Sequence, residues 1–310
     1  MRIVVLGAGG VGGYFGGRLA AAGADVTFFV RGATLAALRS NGLRVDSING
    51  DIRLPKVNAT GDASSIGKAD AILVAVKSWQ VRDACASVKA AVGDDTIVVP
   101  LENGMEAPDD IAAALGEEHA AGGLCGIVSF VVEPGHIRHI SVEPFIAFAE
   151  LDNRPSERTQ KLLGVLTGAS IHAFIPPDIQ RAMWMKFLFI STLSAIGSIT
   201  RVPAGIWRTM PEPRAMAERA LGETVAIAKA RGVSLPDDVF DTVFQRIDAL
   251  TPDSTASMQR DVIDGKPSEL DAQLGAVVRM GKAAGVATPL FEFMFHALLP
   301  QERRARGEVA

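Results

Sequence analysis

The chain of 310 residues is poor in cysteine, in net charge and in long hydrophobic runs. Its two cysteines, Cys85 and Cys125, are too few for a disulfide framework, so we expect both to be reduced packing residues. A net charge of −4 at pH 7 excludes the broad basic surface that attracts polyanions. We therefore expect neither nucleic acid nor a membrane surface as a partner.

Targeting and metal-binding patterns are also missing. The apolar run Ile3 to Leu6 ends at a glycine cluster and is too short for the hydrophobic stretch of a signal peptide. The longest candidate for a membrane span, Phe187 to Ile199, is shorter than the ~20 residues that a bilayer requires. No two of the five histidines are spaced as a ligand pair on one helix, so we expect no metal site. These absences predict a cytoplasmic protein.

The sequence does contain alternating strand and helix signals at its N-terminal end. Residues 2–6 and 25–30 have strand composition, and residues 11–22 between them have helical composition. Further strand signals at 71–76 and 96–100 are each followed by a helical stretch. This order is typical of an α/β, Rossmann-type, doubly wound parallel sheet. Residues 43–57, around Asn49-Gly50-Asp51, predict an antiparallel hairpin.

The predicted secondary structure changes at Pro176-Pro177, from mixed strands and helices to helices alone. Before it, residues 121–149 predict antiparallel strands that finish the sheet, and 171–175 a last strand. After it, the hydrophobic period is helical throughout. The sequence thus predicts a nucleotide-binding domain at 1–175 and an all-helical domain for substrate binding and dimerisation at 176–310. The predicted helices cover 178–199, 212–231, 236–250, 256–264, 268–284 and 289–299, with a fraying tail at 301–310.

A glycine-rich motif joins the first strand to the first helix. It reads Gly7-Ala8-Gly9-Gly10-Val11-Gly12, in the strand–turn–helix context that a dinucleotide fingerprint requires. Gly7 permits a tight turn, Gly9 lets backbone approach the pyrophosphate, and Gly12 lets helix and strand pack closely. The helix N-terminus then offers unpaired N–H groups to the phosphates. The alternative is a glycine turn that binds no ligand.

The second strand indicates which nucleotide is bound. Sites for NAD place Asp or Glu at its end, where the carboxylate binds the ribose 2′-hydroxyl. Here the strand ends Phe29-Val30-Arg31, and Asp25 lies at its other end. The guanidinium of Arg31 suits a 2′-phosphate, so the sequence favours NADPH, although a solvated strand-end charge is the alternative.

Later motifs complete a resemblance to a known family. Lys77-Ser78-Trp79-Gln80 and Asn103-Gly104 each follow a strand, and Met183-Trp184-Met185-Lys186-Phe187 opens the helical region. Ser257-Met258-Gln259-Arg260-Asp261 comes later and is followed by Glu269. With these motifs the chain resembles the ketopantoate reductase (2-dehydropantoate 2-reductase) family over essentially its whole length. The resemblance implies NADPH-dependent reduction of ketopantoate to pantoate, a step of pantothenate biosynthesis.

The resemblance also assigns roles to individual residues. It implies that Lys77, Gln80 and Asn103 bind the cofactor, with Lys77 and Asn103 near its nicotinamide half. It places Lys186 as the catalytic acid, because reduction of a ketone needs a proton for the nascent alkoxide. It places Glu269 and Asn103 at the catalytic site and Ser257 against the substrate. Taken alone, Lys186 could be a lysine at the edge of an apolar helix, Glu269 a first-turn acid, and Ser257 a helix cap.

The sequence departs from the family where the substrate should bind. The helix that carries the lysine normally presents asparagine four and eight residues later, with another near the next helix start; here these positions are Ile190, Ser194 and Ala204. Glu102 also replaces the usual glutamine. Two alternatives therefore stay open: a reductase of a more apolar 2-oxo acid, and a non-catalytic NADP(H) sensor. Apolar helices such as 289–299 also allow a homodimer.

Overall fold

The computed structural model describes residues 1–309, which divide into two compact units. The first unit comprises Met1–Glu102 and Ala107–Ile179, and the second comprises Asn103–Glu106 and the chain from Gln180 onward. The main division thus lies four residues beyond the predicted boundary at 175. The assignment of Asn103–Glu106 to the second unit has no counterpart in the predicted domains.

The first unit contains all ten strands found in residues 1–309. They are β1 (Arg2–Leu6), β2 (Asp25–Phe29), β3 (Leu43–Ser47), β4 (Ile52–Leu54), β5 (Asn58–Thr60), β6 (Ala69–Val74), β7 (Val92–Pro100), β8 (Ala121–Glu133), β9 (His136–Glu150) and β10 (His172–Phe174). Five of them form a parallel sheet in the order β5-β2-β1-β6-β7. This is the predicted doubly wound sheet.

Helices cover this parallel sheet. They are α1 (Gly10–Ala21), α2 (Gly32–Asn41), α3 (Val81–Ser87), α4 (Ala107–Leu115) and α5 (Glu157–Gly168). Residues 3–6 of β1 are all fully buried, as expected for a parallel strand that is covered on both faces. Helix α2 was not predicted from the sequence.

The other five strands form a second sheet. Its order is β10-β9-β3-β4, with β8 paired to β9, and β3 and β4 form the predicted antiparallel hairpin. The prediction that residues 121–149 finish the first sheet is therefore wrong. Strand β9 pairs in parallel with β3 instead, and an isolated bridge between Val98 and Ala120 links β7 to the start of β8.

The second unit is helical. Its elements are α6 (Ile179–Thr200), α7 (Ala204–Trp207), α8 (Pro211–Ala230), α9 (Val239–Asp248), α10 (Ser257–Ile263), a π-helix (Asp271–Gly275), α11 (Ala276–Ala284) and α12 (Pro289–Ala305). Helix α6 is long and apolar enough to cross a membrane, but 67% of its most apolar window is buried inside the protein. Because Trp184, Phe187 and Leu188 are almost fully buried, α6 is a core helix.

The C-terminal end differs from its prediction. Helix α12 continues through Ala305, and Glu302 within it is only 5% exposed. The expectation that residues 301–310 fray is therefore wrong for the first turn of that segment. Contacts of Glu302 and Arg306 hold this turn in place.

Candidate active site

The glycine-rich turn after β1 has the geometry of a tight strand-to-helix connection. Gly7 has a φ of +88°, a left-handed conformation that favours glycine, and its N–H donates to the Phe29 carbonyl at 3.1 Å. A Cβ atom on Gly12 would lie 2.1 Å from the Gly7 carbonyl oxygen. Any larger residue at position 12 would therefore push α1 away from the turn.

Gly9 differs from these two glycines because it borders open space. A Cβ atom placed on it would have no heavy atom within 4 Å. Gly9 is also the N-cap of α1, whose first turn has neither a side-chain cap nor an acidic residue. Ala8 is buried and Val11 packs against the same core, so they anchor the turn from within. The unpaired N–H groups at this helix start are the kind that bind phosphate.

Ser129 on β8 lies beside this turn and was not singled out from the sequence. A Cβ atom on Gly10 would come within 2.8 Å of the Ser129 carbonyl oxygen and 2.9 Å of its hydroxyl. That hydroxyl is buried and has no hydrogen-bond partner among residues 1–309. Gly10 is thus needed where β8 crosses α1. No local motif marks Ser129, because its position depends on the long pairing of β8 with β9.

Arg31 follows β2 at the same edge of the parallel sheet. It is exposed and is the N-cap residue of α2, and its guanidinium lies 5.7 Å from the Phe29 ring centroid. Within the described chain, 1–309, this guanidinium forms no ion pair. It is therefore available to an anionic ligand at the end of β2.

Lys77 and Gln80 lie in the turn that follows β6. Both are exposed, the Lys77 ammonium lies 5.8 Å from the centroid of the Trp79 ring, and the Gln80 side chain accepts the Lys77 backbone N–H at 3.3 Å. The Gln80 oxygen therefore supports the turn that presents Lys77. The N–H of Val76, the residue before Lys77, donates to the buried Glu102 carboxylate at 3.1 Å.

Asn103 lies in the short segment that belongs to the helical unit. Its neighbour Gly104 has a φ of +124°, and a Cβ there would lie 3.1 Å from the Ala272 carbonyl oxygen of the π-helix. Arg279 holds the segment in place, since its Nε and Nη2 donate to Glu106 at 3.0 and 2.6 Å. Its Nη1 also donates to Asp271 at 2.8 Å. These carboxylates raise the pKa of Arg279 above its usual value, so the clamp stays charged.

Lys186 lies on α6 among apolar neighbours. Trp184 and Phe187 are each 1% exposed and contact each other edge to face, with ring centroids 5.9 Å apart. Lys186 itself is partly buried. Across residues 1–309 its ammonium has no hydrogen-bond or ion-pair partner, which leaves three N–H donors for a ligand.

The three residues that replace the family asparagines lie in different surroundings. Ile190, one turn after Lys186, is partly buried, whereas Ser194 and Ala204 have no exposed surface. The Ser194 hydroxyl has no partner within residues 1–309. A larger side chain at 194 or 204 would have to displace its neighbours. Of the three, only Ile190 has a side chain that is partly exposed to solvent.

Ser257 begins one helical segment of the second unit, and Glu269 lies just before another. Ser257 is the first residue of α10 and Ala256 is the N-cap, so capping does not account for this serine. Glu269 is 7% exposed and precedes the π-helix, and its carbonyl accepts the Gln273 N–H at 3.0 Å. Burial distinguishes Glu269 from an ordinary solvated acid in a first helical turn.

The structure brings the predicted residues together in two groups. The glycine-rich turn, Arg31 and Lys77 all follow carboxyl ends of strands in one parallel sheet, where such sheets bind ligands. Separately, the Asn103–Gly104 turn packs on the π-helix that follows Glu269. Both cysteines are buried thiols outside any disulfide, and burial raises the pKa of Cys85 to about 12, which suits the predicted packing role.

Comparison with known proteins places these features in a family. Residues 3–153 match the model of ketopantoate reductase PanE/ApbA, and residues 178–302 match that of its C-terminal domain. An uncharacterized oxidoreductase, YkpB, of Bacillus subtilis is 29% identical over 95% of this chain and 97% of its own. A 2-dehydropantoate 2-reductase of Nostoc is 28% identical over 96% and 94%. The crystal structure of a PanE/ApbA family ketopantoate reductase from Ralstonia eutropha has a TM-score of 0.89 and 29% identity, covering 99% of this chain and all of that one.

Proposed function

Because this chain belongs to the ketopantoate reductase family, a family of oxidoreductases, we propose that it is a cytoplasmic reductase that uses NADPH to convert a 2-oxo acid into a 2-hydroxy acid. Ketopantoate is the first candidate substrate and pantoate the product. The observation that carries this proposal is the pairing of an open glycine-rich turn at α1 with an unpaired Arg31 at the end of the next strand.

The turn and Arg31 fit the two anionic ends of an NADPH molecule. The open side of Gly9 and the uncapped N–H groups of α1 suit the pyrophosphate. The fork of Arg31 suits the 2′-phosphate, and the end of β2 lacks the carboxylate that would bind a free 2′-hydroxyl. Lys77 and Asn103 are our candidates for the nicotinamide end. The bound cofactor would supply the hydride for the substrate carbonyl carbon.

Lys186 supplies the proton in this proposal. As the carbonyl carbon accepts hydride, negative charge develops on the carbonyl oxygen, and an ammonium beside it stabilises that charge and protonates the alkoxide. Lys186 is partly buried on α6, and its partial removal from water strengthens this electrostatic interaction. Lys186 then regains a proton from solvent. Glu269 and Ser257 are proposed to hold the substrate and the cofactor ribose.

A more apolar 2-oxo acid is the second candidate substrate, and Ile190 favours it. An aliphatic side chain one turn from Lys186 offers apolar contact where asparagine would offer a hydrogen bond. A branched-chain 2-oxo acid would use that contact.

The test is NADPH consumption with a panel of 2-oxo acids that includes ketopantoate and branched-chain acids. We expect steady turnover with at least one of them and a 2-hydroxy acid as product. A protein that binds NADPH and turns over none of them would instead be a sensor. The free Lys186 ammonium argues against that outcome, because a nucleotide sensor needs no proton donor on α6.

A further inference from the structure

Ser268, the residue before Glu269, is tied to the last helix through all of its polar atoms. Its N–H donates to both carboxylate oxygens of Glu302, at 3.0 and 3.1 Å, and its hydroxyl donates to Glu302 at 2.6 Å. Its carbonyl accepts a hydrogen bond from Arg306 Nη2 at 2.9 Å. Ser268 is fully buried, so no water competes for these bonds.

Glu302 is an unusual residue to find buried, and its partners explain why it is tolerated. The Arg306 Nε donates to the same carboxylate at 2.7 Å, so the buried negative charge is paired. Charged groups shorten and strengthen such hydrogen bonds. Glu302 and Arg306 together therefore form a bracket on Ser268, built from the last turn of α12 and the C-cap residue that follows it.

The bracket restrains the backbone on both sides of Glu269. On one side it holds Ser268, and on the other the Ser268 hydroxyl accepts the Leu270 N–H at 3.3 Å. The Glu269 carbonyl also accepts the Gln273 N–H, which begins the helical segment. The backbone that carries the Glu269 side chain therefore has little freedom to shift.

We propose that Glu302 and Arg306 are positioning residues for Glu269, so that the last turn of α12 controls the reaction without touching the substrate. This inference rests on the proposed role of Glu269 in the reductase. The segment 302–306 thereby has a function, although the sequence patterns predicted only that residues 301–310 fray.

A double-mutant cycle with Glu302→Gln and Glu269→Gln tests the proposal. Gln at 302 keeps the size but loses the charge and presents N–H groups to the Arg306 and Ser268 donors. We expect kcat with the best 2-oxo acid to fall about tenfold in the wild-type background and less than twofold in the Glu269→Gln background, because residues that act through one another are not additive. Arg304→Gln, at an exposed position of the same turn, is the matched control and should change neither.

A second variant and a second measurement keep the proposal testable if Glu302→Gln does not fold. If Glu302→Gln fails to fold, Arg306→Lys keeps the charge but lacks the second nitrogen for the Ser268 carbonyl, and the same cycle applies. Amide hydrogen exchange at Leu270 and Gln273 reports the restraint without turnover, and it should quicken in Glu302→Gln but not in Arg304→Gln. Equal loss of kcat in both backgrounds, or unchanged exchange, would overturn the proposal. If the wild type reduces no 2-oxo acid, the proposed function fails by itself, and exchange still decides whether the bracket restrains Glu269.

Discussion

The Glu102 carboxylate accepts the backbone N–H of Val76 at 3.1 Å and thereby joins the chain after β7 to the chain after β6. Its other oxygen accepts the Leu101 N–H at 3.1 Å, although that N–H also donates to the Val74 carbonyl at 2.9 Å. Val76 directly precedes Lys77. Glu102 therefore supports the turn that presents Lys77, and this accounts for a residue whose role the sequence left open.

Replacing Glu102 should separate the acceptor function from the charge. Glu102→Gln keeps one oxygen for Val76, while Leu101 retains Val74, so we expect the KM for NADPH to change less than about threefold. Glu102→Ala leaves the Val76 N–H without that acceptor, at a cost of about 1–3 kcal/mol, and should raise this KM severalfold. Steady-state kinetics of the two variants measures the difference. Equal effects would show that the negative charge, and not the acceptor, is what matters.

Arg31 should determine which nicotinamide cofactor is preferred. Arg31→Ala removes a charge-assisted contact and should weaken NADPH binding by roughly ten- to a hundredfold. NADH binding should be nearly unchanged, because it has no 2′-phosphate. Arg31→Lys is the intermediate control, since it keeps the charge without the planar fork. Titration of each variant with both nucleotides gives the ratio, and an equal loss for the two would remove Arg31 from the phosphate site.

Lys186 should affect the chemical step more than cofactor binding. Lys186→Met keeps an unbranched side chain and removes the proton donor, and we expect kcat to fall by about a hundredfold or more. The Kd for NADPH should stay within about twofold. Single-turnover kinetics separates the two effects. A variant with near-normal kcat would show that another group protonates the alkoxide.

Ile190 should influence the choice between 2-oxo acids. Ile190→Asn restores a hydrogen-bonding side chain one turn from Lys186, and kcat/KM for ketopantoate should rise about tenfold relative to a branched-chain 2-oxo acid. Ile190→Leu is the apolar control and should leave this ratio unchanged. We restrict the change to 190, because asparagine at the fully buried Ser194 would strain the core. An unaltered ratio in Ile190→Asn would place Ile190 away from the substrate.

Asp46 should contribute a pH-dependent part of the stability of the first unit. Hydrogen bonds from Arg44 and then His136, both at 2.8 Å, lower the pKa of Asp46 from 3.8 to about 2. A pKa lowered by folding means that the contribution is complete above the unfolded value and is lost as the pH falls from about 4 to 2. Denaturant unfolding across this range should show a steeper loss in the wild type than in Asp46→Asn. Parallel curves would contradict the assignment.

The first half of the chain was predictable where signals are local. The strand–turn–helix pattern at Gly7 to Gly12 and the hairpin at 43–57 depend on neighbouring residues, and both appear in the structure. The strand that pairs with the long β8–β9 hairpin could not be predicted from local signals. Parallel pairing between β9 and β3 joins segments about ninety residues apart, and no local pattern specifies it.

The helical half shows a similar limit at the candidate site. Hydrophobic period located α6 and α8 to within about one residue at each end, and Trp184-Met185-Lys186 marked the lysine. The predicted last helix ends at residue 299, whereas α12 continues past Pro300 to Ala305, although proline removes a helical hydrogen bond. The helix continues because Glu302 gains buried partners from Ser268, a tertiary contact across 34 positions. Sequence patterns therefore could not predict the bracket that Glu302 and Arg306 form on Ser268.

The most direct test of the account is the rate of NADPH oxidation by the purified full chain with ketopantoate and with branched-chain 2-oxo acids, with the product identified chemically. The account predicts steady turnover with one or more of these acids, equimolar formation of the corresponding 2-hydroxy acid, and loss of that turnover in Lys186→Met. NADPH binding without consumption in the presence of every acid tested would contradict it.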